Sequence, residues 1–146
     1  MVLFVKHSGP QAPPIDALLA ESEREGFAFL RRLFADWQSG ANRFASVGEA
    51  FYLAIENGNV VGVGGLNIDP YAHDPQVARI RHVYISKNHR RRAIGRGLVD
   101  RLIELAKGRF QELRLKTDTV GGDLFYRSIG FDSYSEATVA SHFKLV

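Results

Sequence analysis

No cysteine occurs among the 146 residues of this chain. That removes disulfides, thiolate metal ligands and a cysteine nucleophile together, and it fits a reducing compartment such as the cytoplasm. Long apolar runs are missing as well. The one near the N-terminus, Val2 to Val5, is too short for a secretory signal, and nowhere do the roughly 18 apolar residues of a membrane span follow one another. A soluble, cytoplasmic protein without a membrane partner is expected. The histidines show no paired spacing with acids, so no metal is expected, and no Gly-x-Ser-x-Gly elbow marks a hydrolase. Repeats, low-complexity tracts and linkers are absent too. A chain of this length reads as one domain over residues 1–146, large enough to bury a substantial core.

Charge is modest in sum and uneven in place. The net +3 comes from 19 basic and 16 acidic residues. Between Arg79 and Arg101 stand eight basic residues (Arg79, Arg81, Lys87, Arg90, Arg91, Arg92, Arg96, Arg101) and one acid, Asp100, a local +7; the remaining 11 basic and 15 acidic residues give −4. Clustered guanidinium groups attract phosphates through charge-assisted, often bidentate bonds, so a polyanionic partner is implied. A phosphorylated cofactor and a nucleic acid both qualify.

Periodicity divides the chain into short elements. Met1 to His7 reads as an edge strand, and Gly9, Pro10, Pro13 and Pro14 form a breaker. Helical spacing follows in Ile15, Leu18 and Leu19, then in Phe27, Leu30, Leu33, Phe34 and Trp37, which read as core, with Gly40 as the stop. Phe51 to Ile55 and Val60 to Ile68 flank Asn57-Gly58, the strongest short hairpin signal. Gly62-Val63-Gly64-Gly65 lacks the third glycine of a dinucleotide loop and reads as a strand approached closely by another group. A β-branched run covers Val77 to Ile85, and an amphipathic helix presents Ile94, Leu98, Leu102 and Leu105 beside Val99, Ile103 and Ala106. After a strand at Leu113 to Thr117, Gly121-Gly122 reads as a break, Asp123 to Ser128 as a short helix, and Phe131 to Tyr134 and Thr138 to Val146 as closing strands. This order predicts a mixed α/β (α+β) chain, neither a Rossmann repeat nor a barrel.

The informative segment is Val83 to Leu98. A strand delivers the chain to a donor-rich loop, and the first turn of the next helix holds Gly95 and Gly97. Free N–H groups and the helix dipole favour an anion there, and glycines let it approach the backbone. Arg90, Arg91, Arg92 and Arg96 surround that point, and a pyrophosphate fits it.

These residues resemble the GCN5-related N-acetyltransferase (GNAT) family. Its signature Arg/Gln-x-x-Gly-x-Gly/Ala is met by Arg92, Gly95 and Gly97, and its second mark, a Tyr four residues before Gly-Phe, is met by Tyr126 with Gly130-Phe131. The likeness spans essentially the whole chain. It implies the family's acyl-CoA N-acyltransferase fold, a mixed central sheet of about six to seven strands with flanking helices. It implies acetyl-CoA as acyl donor, lying in a V-shaped opening between the strand ending at Ile85 and that of Leu113 to Thr117. Backbone groups of Val83 and Ile85 would meet the pantetheine arm, with an N–H there polarising the thioester carbonyl. Arg90, Arg91, Arg92, Ala93, Ile94, Gly95, Arg96 and Gly97 would hold the pyrophosphate. An amine acceptor, a small molecule or a protein amine, would attack the thioester directly.

The resemblance also makes Tyr126 the donor to the departing thiolate. The family's frequent glutamate base is replaced by Arg79, and His82, His73, Asp74, Glu21, Glu25 and relay through water all stay open. Glu21, Glu23 and Glu25, expected near the acceptor, tilt its class toward a cationic amine. Two other functions share the same residues: a nucleic-acid-binding module using Arg79 to Arg101, and a CoA-binding protein of this fold without catalysis. Only Tyr84 interleaves with the basic residues of that segment, so no nucleic-acid partner is expected. Monomer and homodimer are both compatible with the sequence.

Overall fold

The computed structural model describes residues 1–146. In chain order its elements are β1 (Val2–Lys6), α1 (Asp16–Arg24), α2 (Phe29–Ser39), β2 (Ala50–Glu56), β3 (Asn59–Ile68), β4 (Val77–Ile85), a 3-10 turn at Lys87–His89, α3 (Ile94–Ala106), β5 (Glu112–Leu115), α4 (Val120–Ser128), β6 (Asp132–Ser133) and β7 (His142–Leu145). All strands share one seven-stranded sheet in the order β1-β2-β3-β4-β5-β7-β6. Every neighbouring pair is antiparallel except β4 and β5.

The hairpin turns as its residues require. Asn57 and Gly58 have φ of 51° and 78°, the positive pair that a tight two-residue connection between right-twisted strands demands. Gly40 ends α2 at φ 83°. Alternation then sorts the sheet's two faces. Phe51, Leu53, Val63 and Tyr84 pack with Leu18 and Leu19 of α1 and Leu30, Leu33 and Trp37 of α2. On the other face Leu66, Ala78, Ile80 and Leu113 pack with Val99, Leu102 and Ile103 of α3 and Tyr126 of α4. Fully burying a leucine such as Leu102 contributes about 1.5–3 kcal/mol, so each helix is held by its apolar stripe rather than by propensity. The glycine run of β3 serves close approach, as its sequence suggests. A Cβ on Gly62 would lie 2.7 Å from Ile85 Cδ1, and one on Gly65 would lie 2.4 Å from Phe44 Cε1.

Several boundaries differ from those the sequence suggests. Gly121 and Gly122 do not break the chain: α4 runs through both, because Thr119 caps it by accepting the Gly122 N–H at 2.9 Å. The absence of a side chain at Gly122 is what lets that turn close, since a Cβ would meet Thr117 Oγ1 at 2.2 Å. The closing strands shrink to Asp132–Ser133 and His142–Leu145, and β5 stops at Leu115 because its pairing with β7 ends there. Leu105 is 41% exposed and leaves the ridge that Ile94, Leu98 and Leu102 bury. Trp37 is core, whereas Phe27 is 36% exposed on the segment joining α1 to α2. No helix is long and apolar enough to cross a membrane.

Candidate active site

The site begins where two parallel strands part. β4 pairs with β5 only from Val77 to Arg79, against Glu112 to Arg114. Beyond Arg79 it continues to Ile85 without a neighbour on that side, leaving a wedge open toward its C-terminal end. A bulge lies in the same stretch. Gly65 opposes Arg81 while Val63 opposes Tyr84, so β4 carries one extra residue, and His82 takes φ 63°. Ile80 and Val83 consequently both face the α3 side, and the two residues between them both leave that face.

The loop at the mouth of the wedge is a field of backbone donors. From Arg90 to Arg96 no N–H bonds to a backbone or side-chain acceptor, and the first bond of the helical ladder is Gly97 N–H to Ala93 O, 3.0 Å. No side chain caps α3. Arg91 and Ala93 sit at φ 61° and 62° with Arg92 between them, an alternation of handedness that turns successive N–H groups into a concavity for an anion. Gly95 stands at the mouth itself. A Cβ there would lie 3.5 Å from Ile85 of β4 and 3.7 Å from Phe125 of α4. Gly97 looks the other way: its missing Cβ makes room for Phe4 of β1, which a Cβ would meet at 2.5 Å. Its function in this chain is packing, and the motif's two glycines do different things.

Most of the loop's arginine charge is already engaged. Arg90 donates to the Ile85 carbonyl at 2.9 Å and forks onto Glu25 of α1, Arg92 forks onto Glu56, and Arg96 lies 3.7 Å from Asp100. Arg91 has no such partner. Glu25 is held down to about 2 by its hydrogen bonds from Arg90 and from the Tyr84 hydroxyl. Burial would raise Glu21, yet hydrogen bonds from Tyr84, the Lys87 N–H and Ser86 outweigh it and hold its carboxyl low. Glu23 pairs with Arg31. The acidic stretch therefore braces α1 against the loop instead of waiting for a cation, which removes the basis for expecting a cationic acceptor. Of the +7 segment, Arg79, Arg90, Arg92 and Arg96 are paired with carboxylates, whereas Arg81, Lys87, Arg91 and Arg101 make no ion pair.

Across the wedge, Tyr126 projects from α4 into an apolar setting. Its ring lies 4.9 Å from Phe125, 5.6 Å from Phe131 and 6.2 Å from His142, measured between centroids. Burial pushes its phenol up, so it stays protonated and able to donate. The hydroxyl bonds to no protein group. Only His89 Nδ1 is both sealed from solvent and unpartnered, so the Tyr126 oxygen retains some access.

Below it runs a chain of polar contacts that sequence reasoning missed. His142 Nε2 donates to Asp123 Oδ1 at 2.7 Å, its Nδ1 meets the Ser141 hydroxyl at 2.8 Å, and Ser141 Oγ accepts the Thr117 N–H at 2.9 Å. Ser141 and His142 are buried, and the set ties α4 to β5 and β7. No pattern in the sequence marks it, because its members lie far apart or merely adjacent.

The base candidates separate clearly. His73 and Asp74 are exposed in a turn where Asp74 accepts the Gln76 N–H. Arg79 is buried beside Asp69 at 3.4 Å, donates to the Val139 carbonyl and stacks on Tyr71, so it clamps two loops together. His82 stacks on Phe29 at 6.1 Å and meets Phe44 edge-on at 6.3 Å. Burial first, then the positive charges of Arg81, Arg32 and Arg79, push its imidazole down to about 3. Two shallow hollows, about 530 Å³ around Pro10–Pro14 and about 420 Å³ around Tyr52 and Arg101, lie apart from the wedge and gather no comparable chemistry.

The same architecture is found in solved structures. A protein from Exiguobacterium sp. 255-15, provisionally assigned as an acetyltransferase, is 25% identical, with 99% of this chain and 93% of that one covered at a TM-score of 0.88. A GNAT-family acetyltransferase from Streptococcus pneumoniae is 20% identical, with 100% and 99% covered at 0.76. One from Staphylococcus aureus Mu50 is 18% identical, with 99% of both chains covered at 0.75, and these last two likenesses speak for the fold alone. A family model, Acetyltransferase (GNAT) family, matches residues 15–131, from the start of α1 through the wedge, the donor loop and Tyr126 to Phe131. With that match over most of its length, the chain belongs to the GNAT family of acetyltransferases.

Proposed function

We propose that this acetyltransferase is an N-acetyltransferase that uses acetyl-CoA and passes the acetyl group to an amine by direct attack, as one domain acting in the cytoplasm. The observation that carries it is the run of unbonded N–H groups from Arg90 to Arg96 around Gly95 at the mouth of the wedge. Those donors suit a pyrophosphate, to which the unpaired Arg91 adds charge. Gly97 supports the loop from behind, its N–H engaged within the helix and its bare Cα packed on Phe4. The unpaired side of β4 offers Val83 and Ile85 backbone groups to an extended pantetheine arm. The cofactor supplies an activated acyl carbon. Everything else is this chain's work.

A backbone N–H of β4 polarises the thioester carbonyl, stabilisation worth about 3–4 kcal/mol where comparable donors have been removed. The acceptor nitrogen forms its bond to that carbon as the carbon–sulfur bond breaks. The Tyr126 hydroxyl donates its proton to the sulfur as negative charge gathers there, and a proton returned through water restores the phenol. The ammonium proton leaves through water, since His82 is too weak a base to hold it. With no cysteine in the chain, no acyl-cysteine forms.

Calorimetry with acetyl-CoA tests the proposal. The wild-type chain is expected to bind it, and Gly95→Arg to lose binding entirely, because the longer side chain fills the space between Ile85 and Phe125. Retained affinity in that variant would move the pyrophosphate elsewhere.

A further inference from the structure

We propose that Arg81 and Arg32, with the rings of His82 and Phe29 between them, form an acceptor subsite for an anionic group, a carboxylate or phosphate carried by the same molecule as the reacting amine. This rests on the N-acetyltransferase reading above.

The bulge creates the subsite. Arg81 and His82 are consecutive, yet both lie off the face that Ile80 and Val83 occupy, and His82 reaches Phe29 at the start of α2. Arg32 follows Phe29 by three residues, so it lies on the same side of that helix. Two guanidinium groups from different elements thus flank one imidazole, at the apex of the wedge where the acyl carbon is expected.

Neither guanidinium has a partner. Arg81 is half-buried and makes no ion pair or side-chain hydrogen bond, although nearby Arg79 and Arg90 are both paired. Most acids near this face are engaged elsewhere: Asp69 with Arg79, Glu21 and Glu25 with Tyr84, Glu23 with Arg31, and Glu49 with Asn67 and the Ile68 N–H; Asp36, one turn beyond Arg32 on α2, makes no ion pair with it. A partly desolvated guanidinium without a counter-charge is unfavourable, and an oxyanion able to accept two parallel bonds is its natural complement. Burial is the chief cause of the depressed basicity of His82 and the positive charges of Arg81, Arg32 and Arg79 add to it; an anion placed there would relieve the second part. Phe29 stacked on His82 and Phe44 edge-on to it give the surroundings of the two guanidinium groups an aromatic character.

The test compares amines that differ by one anionic group: L-phenylalanine with phenethylamine, L-lysine with cadaverine, and phosphoethanolamine with ethanolamine. Binding is read from the thermal midpoint, with and without CoA, and turnover from thiol release with acetyl-CoA. At least one anionic member should raise the midpoint where its counterpart does not, the amino-acid and phosphate arms showing which oxyanion is taken. Arg81→Gln should weaken that binding roughly 10–100-fold, as loss of a charge-assisted bond does, with acetyl-CoA affinity unchanged. Arg32→Gln, on an exposed helix position, provides the same readout should the first variant fold poorly. No preference for any anionic member, or a preference that both variants keep, would overturn the subsite. Absence of acetyl-CoA binding by the wild-type chain would instead overturn the proposed function, because the probe shifts are also read without CoA.

Discussion

The wedge has two unlike walls. On the β4 side lie backbone donors, four loop arginines and a network reaching from α1, so that wall is polar and mostly cross-braced. On the β5–α4 side there are aromatic rings and the hydroxyl of Tyr126, which has no protein partner. On the proposed mechanism the contrast separates holding from reacting. A polar wall rich in N–H groups can bind many anions without altering any bond, whereas one donor in an apolar wall interacts strongly with charge that appears only during the reaction. Within the polar wall a second contrast appears: arginines that are paired stiffen the frame, and those that are not are available to ligands.

Tyr126→Phe would break the first contrast most sharply. Removing the hydroxyl should lower kcat about 10²–10⁴-fold while acetyl-CoA affinity, read by calorimetry, stays nearly the same. Unchanged turnover would reduce both walls to binding surfaces. Next comes the pair Arg79→Ala and Arg81→Ala, measured by urea denaturation. The first leaves Asp69 buried without its partner and should cost about 3–5 kcal/mol, and the second should cost less than about 1 kcal/mol. Equal losses would mean that Arg81 is structural too.

Smaller effects probe the bracing. Ala93 occupies a left-handed conformation that glycine adopts without strain, so Ala93→Gly should stabilise the fold by roughly 0.5–1 kcal/mol and raise Tm. A lower Tm would show that the methyl group is needed for packing. Glu25 is held at about 2 in the fold against 4.5 for an ordinary glutamate. The unfolded chain therefore takes up this proton first as pH falls, and the stabilisation from Glu25 is complete above about 4.5 and gone near 2. The Tm difference between wild type and Glu25→Gln should shrink across that window, and a constant difference would mean the Arg90 pair contributes nothing.

Much of this was readable from local chemistry. Asn57-Gly58 marks its hairpin because few other residues tolerate two positive φ angles in succession, and the donor loop announces itself through Gly95 and the adjacent strand. What could not be read depends on distance along the chain. Arg90 and Glu25 are separated by 65 residues, and no spacing rule connects them, so the acidic stretch was assigned to the acceptor. Gly121-Gly122 misleads because a threonine cap outweighs two poor helix formers. The bulge at His82 leaves no mark at all, since its cause is the pairing of β4 with β3 rather than anything in Arg81-His82-Val83 itself.

That one extra residue sets a parity for everything downstream. Before it, even-numbered positions such as Ala78 and Ile80 face α3, and after it odd-numbered ones such as Val83 and Ile85 do. Deleting Val83 would restore regular pairing with Tyr84 still opposite Val63 and beside Glu21 and Glu25, and would turn His82 to the α3 face that Val83 now occupies. The edit would remove less than a hundredth of the chain, yet it would part the two neighbours, Arg81 and His82, that the bulge holds on one face. A one-residue deletion at the bulge should accordingly leave Tyr84 and Ile85 on their present faces while withdrawing His82 from Phe29.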